Sequence, residues 1–179
     1  MKKLLIGLGL IISLAGCATA PVQEATTEVS SFDGSTKVFM MPETFKCVNS
    51  FTTCASIGFA WQSTYPEEAS VFLEVTDYAV AGSYHPIRSV RLNIDGEIVS
   101  LKQSPVSMND FKNLSGNYQT RLTFIAPVAL LEKIKSSKDT KMQILSEGAV
   151  IEDGFKTSEE NNKAYQAMLN FLAKVNAAK

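Results

Sequence analysis

Histidine limits the catalytic chemistry open to this chain, because His85 is its only histidine in 179 residues. Most hydrolase triads and nearly all common zinc sites need histidine within a defined set of partners. A metal site with two histidines is therefore excluded, and a Ser-His-Asp triad would have to use His85. The surrounding Ser83-Tyr84-His85-Pro86 is typical of a loop between strands, and no Gly-x-Ser-x-Gly elbow occurs in the sequence. We predict a loop histidine without a catalytic role.

Carboxylates are the other candidate catalytic groups, and their number alone leaves a paired-acid hydrolase open. The ones we considered are Glu74, Asp77, Asp95, Glu97, Glu152 and Asp153. Glu74 alternates with an apolar row, so we predict that it is solvated or paired across strands. Asp95 and Asp153 each precede glycine, which is typical of turns. Neither Asp-Gly site supplies the oxygen ligands of a calcium loop. We predict no metal, no cofactor and no catalytic residue.

Aromatic side chains offer a different chemistry, namely a surface for a glycan or a peptide. Rings with polar tips provide large contact areas for such ligands, although aromatic residues also fill the cores of sheets. The sequence brings Trp61 and Tyr65 within one short segment, and Tyr84 and His85 within another. These four residues are the candidate binding surface, and the favoured alternative is that the rings fill the core of a sheet.

The first residues form the three parts of a secretory signal. A basic start at Lys2 and Lys3 is followed by an apolar run, Leu4 to Leu14, which is too short to span a membrane. Ala15-Gly16-Cys17 then resembles the lipobox of bacterial lipoproteins. The resemblance implies that residues 1–16 are removed and that the Cys17 thiol carries a diacylglycerol, with a further acyl chain on the freed amine. At least two chains are needed for stable anchoring.

The residue after the lipobox cysteine bears on localisation. Members of this class with aspartate there tend to stay in the inner membrane, whereas this chain has Ala18. The resemblance therefore implies an anchor in the inner leaflet of the outer membrane, with the protein facing the periplasm. A formal net charge of −1 and the lack of a Lys/Arg cluster argue against nucleic acid and against broad electrostatic attachment to anionic lipid.

If Cys17 is acylated, Cys47 and Cys54 remain as an even pair in an oxidising compartment. This pattern predicts a structural disulfide across a short loop. A redox-active pair would favour Cys-x-x-Cys at a helix start, and that spacing is not found here.

Hydrophobic periodicity predicts the elements that must position these groups. Residues 17–36 show no sustained periodicity and are predicted to be a flexible tether, and residues 37–179 a single domain. The predicted strands are 38–41, 57–62, 70–78, 118–125, 141–147 and 149–152, with a hairpin over 87–101 that turns at Asp95-Gly96.

Two helices are predicted late in the chain. The first begins at Pro127 and ends at Lys135. The second is capped at Thr157 or Ser158, with Glu160 in a capping box, and carries its apolar positions at three- and four-residue spacing. We predict an α+β fold, in which an antiparallel β-sheet carries a short helix and a C-terminal amphipathic helix packed on one face.

These features favour a lipid-anchored envelope protein whose domain is a non-enzymatic binding or scaffolding module. Its expected partners are the membrane, through the N-terminal lipid, and an envelope protein, glycan or lipid. One alternative is an envelope hydrolase that uses an unrecognised acid pair or serine. Another is a carrier of a small apolar ligand, held in a cavity between the sheet and a helix.

Overall fold

A computed structural model describes residues 22–50, 52–79, 81–157 and 162–179. The predicted signal peptide, the predicted acylation site Cys17, and Ser158 and Glu160 of the predicted capping box lie outside the described residues. Within the described residues, no helix combines the length and the apolar character needed to cross a membrane.

The described part of the chain forms eleven strands and two helices. The strands are β1 (Thr26–Val29), β2 (Thr36–Val48), β3 (Thr53–Gln62), β4 (Glu68–Asp77), β5 (Ile87–Ile94), β6 (Glu97–Ser100), β7 (Lys102–Gln103), β8 (Asp110–Leu114), β9 (Asn117–Pro127), β10 (Thr140–Ser146) and β11 (Ala149–Lys156). The helices are α1 (Val128–Ser136), between β9 and β10, and α2 (Lys163–Ala178), at the C-terminus.

The strands form two antiparallel sheets, where the sequence predicted one. The larger sheet has the order β1-β2-β3-β4-β9, with β7 and β8 paired to successive parts of β9. The smaller sheet has the order β11-β10-β5-β6. The helix-plus-sheet class is confirmed, with strands predominant. The separate second sheet arises because β5 pairs with β10, at Val90 opposite Ile144, and not with β4.

Alternating side chains divide the larger sheet into an inner and an outer face. On β4, the inner residues Val71, Leu73 and Val75 are all buried. On β9, Leu122 and Phe124 point the same way and are also buried. The predicted alternation is confirmed on β9 and on the first half of β4, because a period of two places every second side chain against the core. In the second half of β4, Glu74 and Thr76 are buried as well, so the alternation predicted there is wrong.

Helix α2 covers part of the inner face, where it packs against β2, β3 and β11. Its apolar stripe is fully buried, and Phe171 stacks on Phe59 of β3 with ring centroids 5.4 Å apart. The smaller sheet joins the same core through Phe155 of β11, whose ring lies 6.3 Å from Phe45 of β2. Both sheets and both helices therefore contribute to one hydrophobic cluster.

Strand β2 bends where its register with β3 shifts, between Met40 and Glu43 and again before Lys46. Gly58 of β3 lies beside the first shift, and a Cβ there would sit only 2.8 Å from the Met40 carbonyl oxygen and 2.9 Å from the Pro42 nitrogen. Only glycine permits this approach of two backbones. Pro42 is compatible with a strand because it occupies an irregular position.

The hairpin predicted at Asp95-Gly96 is confirmed. Ile94 pairs with Glu97, and the two turn residues have φ values of 51° and 96°. These positive values are those of a two-residue hairpin turn, for which Asp-Gly is favoured.

The predicted end of the tether and the predicted cap of the C-terminal helix are both wrong. Thr26–Val29 lie within the predicted tether but pair with β2 as an edge strand, and Ala25 is buried. The C-terminal helix begins at Lys163, because Asn162 caps it by accepting a hydrogen bond from the Ala164 N–H at 2.9 Å. Thr157 therefore does not cap α2.

Candidate binding groove

A groove of about 590 Å³ lies on the outer face of the larger sheet, opposite the helix-covered face. It crosses from β1 to β9. Its lining residues come from five strands, the β3–β4 turn and the chain after β7: Glu28, Lys37, Val38, Phe39, Ala60, Trp61, Gln62, Tyr65, Glu68, Ala69, Ser70, Ser104 and Ile125.

The floor of the groove is a single cross-strand row. Phe39 pairs with Ala60, Ala60 with Ser70, and Ser70 with Ile125, so the four residues lie side by side on β2, β3, β4 and β9. The two central side chains are small and the two flanking ones are large. This size pattern produces a trough, because directly opposed side chains in a sheet stand close together.

One end of the trough is closed by an aromatic ring. Phe72 lies two residues after Ser70 on β4, and its ring centroid is 5.9 Å from that of Phe39. Phe39 keeps 37% of its surface exposed. An apolar wall therefore faces solvent on the outer side of the sheet.

The rim of the groove carries polar and charged groups. Glu28 of β1 lies opposite Lys37 of β2 in the strand register, and Glu68 begins β4. Gln62 lies next to them, with its side-chain amide donating to the Ser35 hydroxyl at 3.4 Å. The groove thus offers both charge signs, an amide and hydroxyl groups above an apolar floor.

Tyr65 extends over the groove from the β3–β4 turn, with 69% of its surface exposed. Trp61, predicted to lie on the same binding surface, is only 3% exposed because its position on β3 faces the core. Its indole N–H donates to the Pro66 carbonyl oxygen at 3.1 Å. Trp61 therefore holds the turn that carries Tyr65, and we interpret it as a positioning residue.

Tyr84 and His85, the other two residues of the predicted surface, lie elsewhere. The ring of Tyr84 packs edge-on against the rings of Phe111 and Tyr118. The centroid of the Tyr84 ring lies 5.2 Å from that of Phe111 and 5.1 Å from that of Tyr118. His85 contacts Asp77, the last residue of β4, whereas the groove lies at the first residues of that strand. Ten residues of strand span about 30 Å. The structure therefore brings Trp61 and Tyr65 together and places Tyr84 and His85 at the opposite end of the sheet.

Both ring nitrogens of His85 face hydrogen-bond acceptors. Nδ1 lies 2.8 Å from the Glu147 carbonyl oxygen, and Nε2 lies 3.2 Å from Asp77 Oδ2. In a Ser-His-Asp triad, one nitrogen must instead accept the proton of the nucleophile. This geometry gives His85 a structural contact between β4 and the β10–β11 turn.

The Asp77 carboxylate is held by several donors. The backbone N–H of Ala79 donates to Oδ1 at 2.9 Å, and that of Ser83 donates to Oδ2 at 3.1 Å. Burial raises the pKa of this carboxyl. The hydrogen bonds from the two N–H groups and the contact with His85 lower the pKa, and their combined effect is larger than that of burial. The pKa therefore lies below its ordinary value of 3.8.

Each of the other candidate carboxylates contacts a hydrogen-bond donor or a cationic side chain. Glu74 lies opposite Arg121 in the register and accepts from the Arg121 Nε at 2.7 Å, so its predicted cross-strand pairing is confirmed. Glu97, Glu152 and Asp153 bond to Lys133, Gln143 and Lys46, respectively. Asp95 lies in its predicted turn and accepts from the backbone N–H groups of Lys138 and Asp139. The turn predicted at Asp153 is wrong, because Asp153 lies within β11 and pairs with Met142 of β10. Within the described ranges, no cluster of three or more His, Cys, Asp or Glu residues is placed to hold a metal ion.

The predicted disulfide between Cys47 and Cys54 is present. The two residues oppose each other in the register of β2 and β3, close to the turn that joins the strands. The bridge therefore fastens the turn end of this hairpin, which is the end away from the groove.

Comparisons with protein-family models, with curated proteins and with solved structures give no match to this chain. The residues of the groove are consequently interpreted from their own geometry. Sequence reasoning missed the floor residues Phe39, Ala60, Ser70 and Ile125. Each shows the alternation of a strand, but only the register of four strands reveals that they form one row.

Proposed function

We propose that this protein is a lipid-anchored, non-enzymatic binding or scaffolding module of the bacterial cell envelope, and that the groove is its binding site. In this proposal Cys17 carries the lipid, and the domain faces the periplasm from the inner leaflet of the outer membrane. The observation that carries the binding role is the trough formed by small Ala60 and Ser70 between Phe39 and Ile125.

The composition of the groove supports an envelope ligand with both apolar and polar parts. Its volume falls within the range of about 300–1,000 Å³ that is usual for ligand sites. Exposed Tyr65 supplies a ring with a polar tip, and Gln62 and Lys37 supply hydrogen-bond donors at the rim. A segment of an envelope protein or a glycan strand satisfies these groups.

The apolar part of the groove also supports the second candidate, a carrier of a small apolar ligand. Phe39 and Ile125, which line the groove, provide apolar walls against which an acyl chain could lie. Intact-protein mass spectrometry under native conditions distinguishes this candidate, because a carrier retains lipid that is lost in denaturing spectra.

A hydrolase receives less support. A triad on His85 would need one ring nitrogen turned away from Asp77 or from Glu147, both of which it contacts. Turnover of an envelope substrate by the purified domain, abolished by point substitutions, would overturn the non-enzymatic proposal.

The groove can be tested by site-specific photocrosslinking in living cells. A photoreactive amino acid replaces Gln62 at the groove in one strain, and replaces Arg88, an exposed residue of β5 away from the groove, in another. We expect a discrete adduct from position 62 and none from position 88, identified by mass spectrometry. Equal labelling from both positions, or no adduct from position 62, would contradict a binding role for the groove.

Two further variants separate the groove from the anchor. Ser70→Phe should fill the floor and reduce the position-62 adduct about tenfold or more, since a ring then occupies the space of the ligand. Cys17→Ser should leave the domain folded but move the protein to the detergent-free soluble fraction. A Cys17→Ser protein that still sediments with membranes would refute the lipid anchor.

A further inference from the structure

The described chain is fixed to the folded body from its first residues. Val22 packs against the core, and Ala25 is 5% exposed. Between them, the Gln23 N–H donates to Glu43 Oε1 on β2 at 3.1 Å, and the Asn170 side-chain amide of α2 donates to the Gln23 carbonyl oxygen at 3.4 Å. Two separate elements therefore hold the segment that precedes β1.

Only four residues separate Cys17 from Val22. A chain advances at most about 3.4 Å per residue, so the Cα atoms of Cys17 and Val22 lie no more than about 17 Å apart in any conformation. A flexible tether of about twenty residues, as predicted for residues 17–36, would have a mean span of about 25 Å. Because the chain is held on the domain from Val22 onward, most of the predicted tether is not available to separate the domain from Cys17.

We propose that the anchored domain is held against the lipid bilayer, with the surface around Gln23, Glu43 and Asn170 facing the headgroups. We call these three residues the anchor-side surface. The inference rests on acylation of Cys17 in the proposed function. In this arrangement the domain lies at the membrane surface. A long flexible linker would instead let it stand clear of the membrane.

The chemistry of the anchor-side surface defines the kind of lipid contact. Two of its side chains are neutral amides, and the third is a carboxylate that accepts from a backbone N–H. These groups can hydrogen-bond to zwitterionic headgroups, but they offer no positive charge to anionic lipid. The acyl chains supply the attachment, and the short reach from Cys17 selects which side of the domain meets the bilayer.

Energy transfer to the membrane plane tests this orientation. A donor dye is attached through Ala173→Cys, an exposed position one turn after Asn170 on α2, in the acylated protein with its disulfide intact. The matched control carries the dye through Lys112→Cys on β8. Strand β8 lies five strand spacings from β1, a distance of about 24 Å across the sheet. The vesicles contain phosphatidylethanolamine and phosphatidylglycerol at a 3:1 ratio, with a rhodamine-headgroup acceptor lipid.

We expect transfer from position 173 to exceed that from position 112 by about twofold or more, because the reach from Cys17 limits the distance of α2 from the bilayer. Inserting ten Gly/Ser residues between Ala18 and Thr19 should reduce this difference, since the longer tether releases the constraint. Equal transfer from both positions in an uninserted, acylated chain would overturn the inference alone. Intact mass reports acylation independently, and an unmodified Cys17 would overturn both this inference and the proposed anchor.

Discussion

The Asp77 side chain shows how a single carboxylate can organise the end of a strand. It accepts hydrogen bonds from two backbone N–H groups of the following loop and also contacts the His85 ring. His85 in turn bonds to Glu147 in the turn between β10 and β11. One acidic residue thereby links the larger sheet to the smaller one.

The lowered pKa of Asp77 predicts a pH dependence of stability. A carboxyl whose folded-state pKa lies below its unfolded value of about 3.8 stabilises the fold above that pH, and this contribution is lost as the pH falls through the folded-state pKa. Asp77→Asn should therefore lower the free energy of unfolding by about 1.5–3 kcal/mol at neutral pH, the usual value of hydrogen bonds to a charged group.

Denaturant unfolding of the wild type and of Asp77→Asn between pH 2.5 and 7 measures this effect. The difference between the two proteins should shrink below pH 4. The pKa values of Glu132 and Asp153 are also lowered, so both proteins share that part of the acid dependence and it cancels in the difference. A difference that stays constant over the whole range would show that the charge of Asp77 is not the cause.

At the scale of elements, the β2–β3 hairpin supports the groove. Its strands contribute Phe39 and Ala60 to the floor, and at its far end Cys47 and Cys54 are bridged. The turn between the cysteines includes Asn49 and Ser50, whose φ values are 51° and 57°. Left-handed backbone is energetically unfavourable for residues other than glycine. The bridge offsets part of this energy, because it lowers the conformational entropy of the unfolded chain and so stabilises the folded state.

Removing the bridge with Cys47→Ala and Cys54→Ala together should lower the stability by about 2.5 kcal/mol, as the loss of an eight-residue closed loop predicts. For a chain of this size, that corresponds to a fall in Tm of about 5–10 °C. Calorimetry of both proteins gives the shift, and reduced wild type provides the control. A double variant as stable as the oxidised wild type would contradict a stabilising role.

On the scale of the whole molecule, aromatic contacts join the two sheets and helix α2. Phe171 attaches α2 to β3 of the larger sheet, while Phe155 of the smaller sheet contacts both Phe45 of β2 and Tyr165 of α2. The outer face that bears the groove is thus backed by a packed core. This backing keeps the strands in the register on which the floor row depends.

Phe171→Ala should destabilise the protein by about 3–5 kcal/mol, because it removes a fully buried ring and leaves a cavity. Phe32→Ala makes the same chemical change at a residue that is 99% exposed, and should alter stability by less than about 0.5 kcal/mol. Urea unfolding of both variants measures the contrast. Similar losses in the two proteins would mean that the helix–sheet contact is not a major source of stability.

Local sequence patterns were enough to predict the elements that have strong neighbour-to-neighbour signals. Asp95-Gly96 specifies its own hairpin turn, and the alternation of β9 identifies its buried face. The spacing of apolar residues likewise defines the core-facing stripe of α2. These properties depend on residues a few positions apart, so the chain encodes them without reference to its distant parts.

The limits of local pattern appear at β1 and at the start of α2. The four residues of β1 are all exposed and have no apolar alternation, so only pairing with β2 makes them a strand. Asn162 caps α2 while its amide also donates to the Phe45 carbonyl oxygen, 117 residues away. Contacts at such separation cannot be read from a short window of sequence.

Residue types and short spacings were sufficient to predict the helix-plus-antiparallel-sheet class, the cysteine pair and a motif that resembles a lipoprotein anchor. Tertiary structure decided that there are two sheets, that Trp61 is buried beneath Tyr65, and that Tyr84 and His85 lie far from both. It also created the groove. A row such as Phe39, Ala60, Ser70 and Ile125 exists only when four strands pair in one register, and burial of the opposite face sets that register.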